Sequence, residues 1–179
     1  MIVFDTETTG LPKPEGVPLD QHPQIIEYAG IKLHDETLEE VDRMEFLANP
    51  GITLPDIIVK ITHITDALLR DKPSFGASFK RLAEFHLGER CFVAHNIAFD
   101  RYMLTLELRR LNKLNWFPWP PEHKCTVEAS KHLFGGKFPK LGALHAHFFG
   151  AEHEEAHRAM PDVEGLVKCV RELRKVGAI

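Results

Sequence analysis

The order of its apolar segments constrains this 179-residue chain more than any other feature. Strand-like runs come early: residues 1–7 around Ile2-Val3-Phe4, residues 25–33 (IIEYAGIKL), and residues 44–48 (MEFLA), which Asn49-Pro50-Gly51 ends. A further apolar strand at 91–94 (CFVA) precedes residues 98–112, where Phe99, Met103, Leu104, Leu106, Leu108 and Leu111 recur at helical spacing. Ser74 to Leu87 has the same periodicity after Pro73, and residues 55–61 open with Pro and an acid, as a short helix does. Helices are also expected at 127–134, 140–149 and 161–175. Residues 11–23 hold four prolines (Pro12, Pro14, Pro18, Pro23) and read as a loop. Early strands followed by strand–helix alternation predict an α/β layer on a mixed sheet.

Neither an internal repeat nor a linker divides the chain, so residues 1–179 are expected to form one domain. No apolar run approaches the ~20 residues of a membrane span, and no signal-peptide pattern precedes the first strand. Three well-separated cysteines, Cys91, Cys125 and Cys169, fit buried thiols in a reducing compartment. Together these predict a cytoplasmic protein without a membrane partner. The net charge of −4 argues against holding long duplex DNA by charge alone. It leaves room for an enzyme that grips a strand end through metal ions.

Residues 4–10 read FDTETTG. On a strand, Asp5 and Glu7 point one way while Thr6 and Thr8 point the other. Paired carboxylates repel unless a cation sits between them, and a hard divalent ion suits an all-oxygen pair. A surface turn is the competing reading of this stretch alone. Residues 95–100, HNIAFD, follow an apolar strand and open a helix. Asp100 therefore lies near a strand's carboxyl end, where α/β sheets place their sites, although it also suits a helix cap. Residues 157–162, HRAMPD, place Pro161 and Asp162 at a helix start and His157 just before it.

In this order, FDTETTG, HNIAFD and HRAMPD resemble the three exonuclease motifs of the DEDDh (DnaQ-like) 3′–5′ exonucleases. Within that family the chain is most similar to the proofreading epsilon subunit of bacterial DNA polymerase III. QIIEYAG (24–30), ITHITDALLRDKPSF (61–75) and KLGAL (140–144) extend the resemblance over nearly the whole chain. It implies a ribonuclease-H-like fold, a mixed central sheet flanked by helices. It also implies two divalent ions, Mg²⁺ or Mn²⁺, with Asp5 bridging both, Glu7 and Asp162 completing the first and Asp100 serving the second. His157 is implied as general base. The implied reaction removes nucleoside monophosphates from the 3′ end of single-stranded DNA, in proofreading or repair, with a DNA polymerase as a possible partner.

By the same resemblance, main-chain groups near Thr6 and Thr8 meet the terminal 3′-hydroxyl. Phe99 and Ile61 pack on the last sugar and base, and Ile64 or His63 wedges between bases; plain core packing explains Phe99 and Ile61 equally well. Lys131, Lys137 and Lys140, or Arg109, Arg110 and Lys113, could guide the strand, but such runs also occur as solvated helix faces. Two departures stand out: Thr62-His63 replaces the usual His-Gly, and Thr126-Val127 stands where many relatives carry an acid. His145, His147 and His153 raise a zinc reading, against which His-x-His on a helix points to different faces and no Cys pair joins it. No motif settles DNA against RNA. A trimming exoribonuclease, a hydrolase of small phosphoesters and a non-catalytic nucleic-acid-binding or assembly module are the alternatives, and the complete set of acids disfavours the last.

Overall fold

The computed structural model describes residues 1–153 and 157–179. A five-stranded sheet has the order β3-β2-β1-β4-β5. Strand β1 (Ile2–Thr8) is central, and β2 (Ile25–Leu33) and β3 (Glu40–Leu47) continue antiparallel on one side. Strands β4 (Cys91–Ala94) and β5 (Glu122–Cys125) run parallel to β1 on the other. The expected mixed α/β sheet is thus observed.

Both faces of the sheet are covered, which is why β2 and the first half of β1, Ile2-Val3-Phe4, are apolar at nearly every position. Ile2, Phe4, Tyr28 and Phe92 face Leu82 and Phe85 of helix α3 (Phe79–His86) and Met103, Leu104 and Leu108 of helix α4 (Ile97–Arg110). Val3, Ala29, Ile31 and Val93 face Val163, Leu166 and Val170 of the last helix, α7 (Ala159–Lys175). Between α3 and its preceding loop the chain makes a 3-10 turn at Phe75–Ser78, so the expected 74–87 helix is split. Helices α1 (Asp56–Thr62) and α2 (Asp66–Leu69) pack beside β2 through Ile26, Leu54, Ile64 and Leu69. Helix α5 (Thr126–Ser130) runs on into a 3-10 turn at Lys131–Phe134, and α6 (Leu141–Phe149) lies against α7.

Two strands depart from expectation. Strand β3 begins at Glu40, four residues before the expected start, because edge pairing with β2 holds the charged residues Glu40–Arg43. Strand β5 is the segment Glu-His-Lys-Cys, which carries no apolar signal; pairing with β4 alone makes it a strand. The proline-rich loop is anchored by Arg110, whose Nη2 donates to the carbonyls of Leu19, His22 and Pro23 at 2.8–3.1 Å. Glu107 holds that guanidinium at 2.9 Å and also accepts the Ile25 N–H. Cys91 and Cys169 are buried and Cys125 is half-buried. Among the described residues no helix is long and apolar enough to cross a membrane.

Candidate active site

Alternation along β1 sends Asp5 and Glu7 to the face that α7 covers, beyond Val3. Helix α7 brings Asp162 to them from its first turn, where Pro161 fits because the turn's N–H groups have no helical partner. Carboxylate oxygens of Asp5, Glu7 and Asp162 lie within 4.8 Å of one another. Asp100 arrives from the other face, in the first turn of α4. It is 2% exposed, and its Oδ1 accepts the Thr6 main-chain N–H at 3.1 Å and the Thr6 hydroxyl at 2.8 Å.

Such a set of acids is electrostatically unstable alone. Burial, and then the charges of Asp100, Glu7 and Asp162, hold the Asp5 carboxyl well above the usual range. Burial, followed by Asp162 and Glu27, pushes Glu7 up to about 8. Burial raises Asp100 to about 7 even though both Thr6 bonds favour its charged form. A divalent cation among these oxygens reverses that balance, and an all-oxygen donor set suits Mg²⁺ or Mn²⁺.

The start of α7 is held by more than its own turn. Glu27 lies opposite Glu7 in the β1–β2 register and is 4% exposed. Its carboxylate accepts from Arg158 Nε at 3.1 Å, from Arg158 Nη2 at 2.7 Å and from the Ala159 N–H at 2.9 Å. One side chain of β2 therefore caps α7 and pairs with the residue that follows His157. His157 is exposed and adopts a left-handed backbone (φ 70°), and its N–H donates to Asp162 Oδ2 at 3.1 Å. His153 Nε2 hydrogen-bonds the other oxygen, Asp162 Oδ1.

Asp5, Asp162, His153, His157 and His95 line one cavity of about 680 Å³. His95 fastens its floor: Nε2–H donates to the Pro139 carbonyl at 2.9 Å and Nδ1 accepts the Thr126 hydroxyl at 3.0 Å. Burial lowers the His95 pKa, consistent with a neutral ring in that role.

With this geometry in place, the relatives are informative. The exonuclease (RNase T) family profile matches residues 2–170. The chain belongs to the RNase T exonuclease family. PolC-type DNA polymerase III of Staphylococcus aureus is 32% identical over 99% of this chain, which spans 12% of that relative's length. Among solved structures, the nuclease domain of 3′hExo, a DEDDh family member bound to rAMP, superposes with a TM-score of 0.78 at 18% identity, covering 99% of this chain and 92% of that one. Escherichia coli exonuclease I in complex with a dT13 oligonucleotide superposes at 0.77 and 19%, covering 97% and 40%. Exonuclease X in complex with 5′ overhanging duplex DNA gives 0.67 and 23%, covering 99% and 93%. At these identities the structures establish the ribonuclease-H-like fold.

Within this exonuclease-family site the four motif acids converge and His157 opens onto the same cavity. The residues expected to touch substrate divide. Ile61, at the end of α1, is 40% exposed, and His63 is exposed with a left-handed backbone (φ 58°). Phe99 is half-buried and packs on the core between α3 and α4. Ile64 is the exception: at 0% exposure it is locked among Ile26, Leu54 and Leu69, so its side chain is core, which does not fit the wedging role expected of it. Thr6 also differs, since both its N–H and its hydroxyl are committed to Asp100. The Thr8 hydroxyl donates to the Gly10 carbonyl at 2.8 Å. In the histidine trio, His145 is buried near His153 while His147 is exposed and packs on Phe134.

Sequence reasoning missed Glu27, Arg158 and His95, and it named His153 only in a zinc reading and Thr126 only as a departure. Glu27 carried a signal, an acid in the middle of an apolar strand, and Arg158 adjoins His157 in HRAMPD. The Thr126 hydroxyl holds His95.

Proposed function

We propose that residues 1–179 form one exonuclease domain that hydrolyses the terminal phosphodiester at the 3′ end of single-stranded DNA and releases nucleoside monophosphates. The observation that carries this reading is the convergence of Asp5, Glu7 and Asp162 from β1 and α7, with Asp100 beside them and His157 at the same cavity. Asp5, Glu7, Asp162 and Asp100 would hold two divalent ions, Mg²⁺ or Mn²⁺. When bound, such ions stabilise the attacking and leaving oxygens of an in-line displacement and acidify a bound water.

The protein's own groups do the rest. His157 accepts the proton of the attacking water, the general-base role that imidazole most often fills. The Asp162–His157 main-chain bond fixes where that ring starts. Thr6 orients Asp100, and Glu27 with Arg158 sets the position of α7 against β1. Ile61, His63 and Phe99 flank the last nucleotide. The 32% identity to a PolC-type DNA polymerase III supports work on DNA and proofreading beside a polymerase.

The test uses 5′-labelled single-stranded DNA and RNA of equal sequence with Mg²⁺, Mn²⁺ or EDTA. A ladder shortening from the 3′ end, stronger on DNA and erased by EDTA and by Asp5→Ala, is expected. Faster loss of RNA would reassign the substrate, and an intact strand under every condition would remove the enzyme reading.

A further inference from the structure

We infer that the cavity wall made by Val127, Phe138 and Leu141 is a nucleobase subsite, which receives a base of the strand leading away from the reacting end. The inference rests on the nuclease reading above and adds where the strand goes. The cavity that holds Asp5 and Asp162 continues past His95 to these three side chains. Its volume of about 680 Å³ exceeds what the acids and a single phosphate need and falls in the ~300–1,000 Å³ range of ligand clefts.

Phe138 is the telling residue. It is 68% exposed, on the short segment between Gly136 and the start of α6. A lone exposed aromatic is ordinary, but this one is presented on anchored backbone. The next residue, Pro139, is buried, and its carbonyl accepts the His95 Nε2–H at 2.9 Å. That bond ties the Phe138 backbone to the end of β4, one turn from Asp100. The ring thus stands at a fixed place on the rim of the acid cavity.

The surrounding charge suits a polyanion with its base turned inward. Lys137 and Lys140 flank Phe138 and are exposed, and Lys131 Nζ lies 5.8 Å from the ring centroid. Glu128, also on this wall, is paired with Lys131 at 2.5 Å. Glu152 lies on the opposite, α6–α7 side beside Gly142. An apolar face ringed by lysines, continuous with a phosphoester-cleaving centre, fits a stacked base followed by backbone phosphates. Stacking on an aromatic accepts every base, as an exonuclease that moves along a strand requires.

Two variants and two substrates test this. Phe138→Ala is expected to lower kcat/KM on a single-stranded oligothymidylate roughly 5- to 100-fold. On the p-nitrophenyl ester of thymidine 5′-monophosphate, which has no second base, it is expected to change nothing beyond about twofold, with the melting temperature kept. Phe138→Trp is expected to restore the oligonucleotide rate. With Ca²⁺ in place of Mg²⁺, its added fluorescence over wild type is expected to be quenched by unlabelled oligothymidylate. Equal rates for Phe138→Ala and wild type on the oligonucleotide, or equal losses on both substrates, would overturn the subsite. So would tryptophan fluorescence that ignores the oligonucleotide. If wild type cleaves neither substrate, the nuclease reading falls, and the quenching titration still decides whether the wall binds a base.

Discussion

Single side chains set the electrostatics of this fold, and His86 makes a pH prediction opposite in sign to that of Glu7 and Asp100. His86 is fully buried, Nε2 bonded to the Tyr28 hydroxyl at 2.7 Å, and burial pushes its pKa down to about 3. Its folded pKa lies below the unfolded value of ~6.5, so the unfolded chain takes up a proton first as pH falls. Stability from this group is complete above ~6.5 and drains by about 1.4 kcal/mol per pH unit down toward pH 3. In urea melts at pH 7, 5.5 and 4, the stability advantage of wild type over a Tyr28→Phe/His86→Leu variant is expected to shrink as pH falls; an advantage independent of pH would contradict the assignment. The acids act the other way. Glu7 and Asp100 have folded values of about 8 and 7, above those of an unfolded chain. Without metal the folded state keeps protons that the unfolded state sheds, so stability falls as pH rises from ~4 toward 8. Mg²⁺ favours the deprotonated acids, so its increment in melting temperature is expected to be larger at pH 8 than at pH 5.5. An increment independent of pH would count against these acids as the ligands. At His157, replacement by Ala is expected to cost ~10²–10⁴ in kcat, with the Mg²⁺ increment in melting temperature retained.

Between elements, the joint that matters joins β2 to the start of α7. Removing Arg158 leaves the buried Glu27 carboxylate opposite Glu7 with, among the described residues, only the Ala159 N–H as hydrogen-bond partner. Because the Arg158 side chain is 36% exposed, solvent recovers part of the loss, and Arg158→Ala is expected to destabilise by about 1–3 kcal/mol in urea. The same variant is expected to lower kcat more than it raises KM, since His157 and Asp162 lose their frame. An unchanged kcat would mean that α7 holds its position without the pair. This joint also marks what the sequence could and could not disclose. The acids were legible because they sit in short motifs at the ends of strongly periodic elements. Glu27 was visible as an anomaly, but its partner lies 131 residues away, and no local pattern encodes that pairing. Strand β5 was illegible for a similar reason: Glu-His-Lys-Cys becomes a strand only because β4 offers an edge. Ile64 was expected, as an alternative to His63, to wedge between bases, and its burial among Ile26, Leu54 and Leu69 is a long-range fact that its motif neighbours do not encode.

At the scale of the whole molecule, the sheet is a platform with two apolar faces, and both must be filled for the site to exist. Phe4 and Phe92, with ring centroids 4.8 Å apart, form the centre of the α3–α4 side and are fully buried. Phe92→Ala is expected to cost ~3–5 kcal/mol, read as a shift in urea midpoint with an unchanged slope. The central strand carries core residues at one end and Asp5 and Glu7 at the other, so packing and chemistry share one rigid element. An arrangement that removes single nucleotides from a 3′ end is tested by the first product released from a 3′-end-labelled DNA strand in Mg²⁺. A labelled nucleoside 5′-monophosphate is expected from the earliest time point; labelled fragments of intermediate length, or no release at all, would rule that activity out.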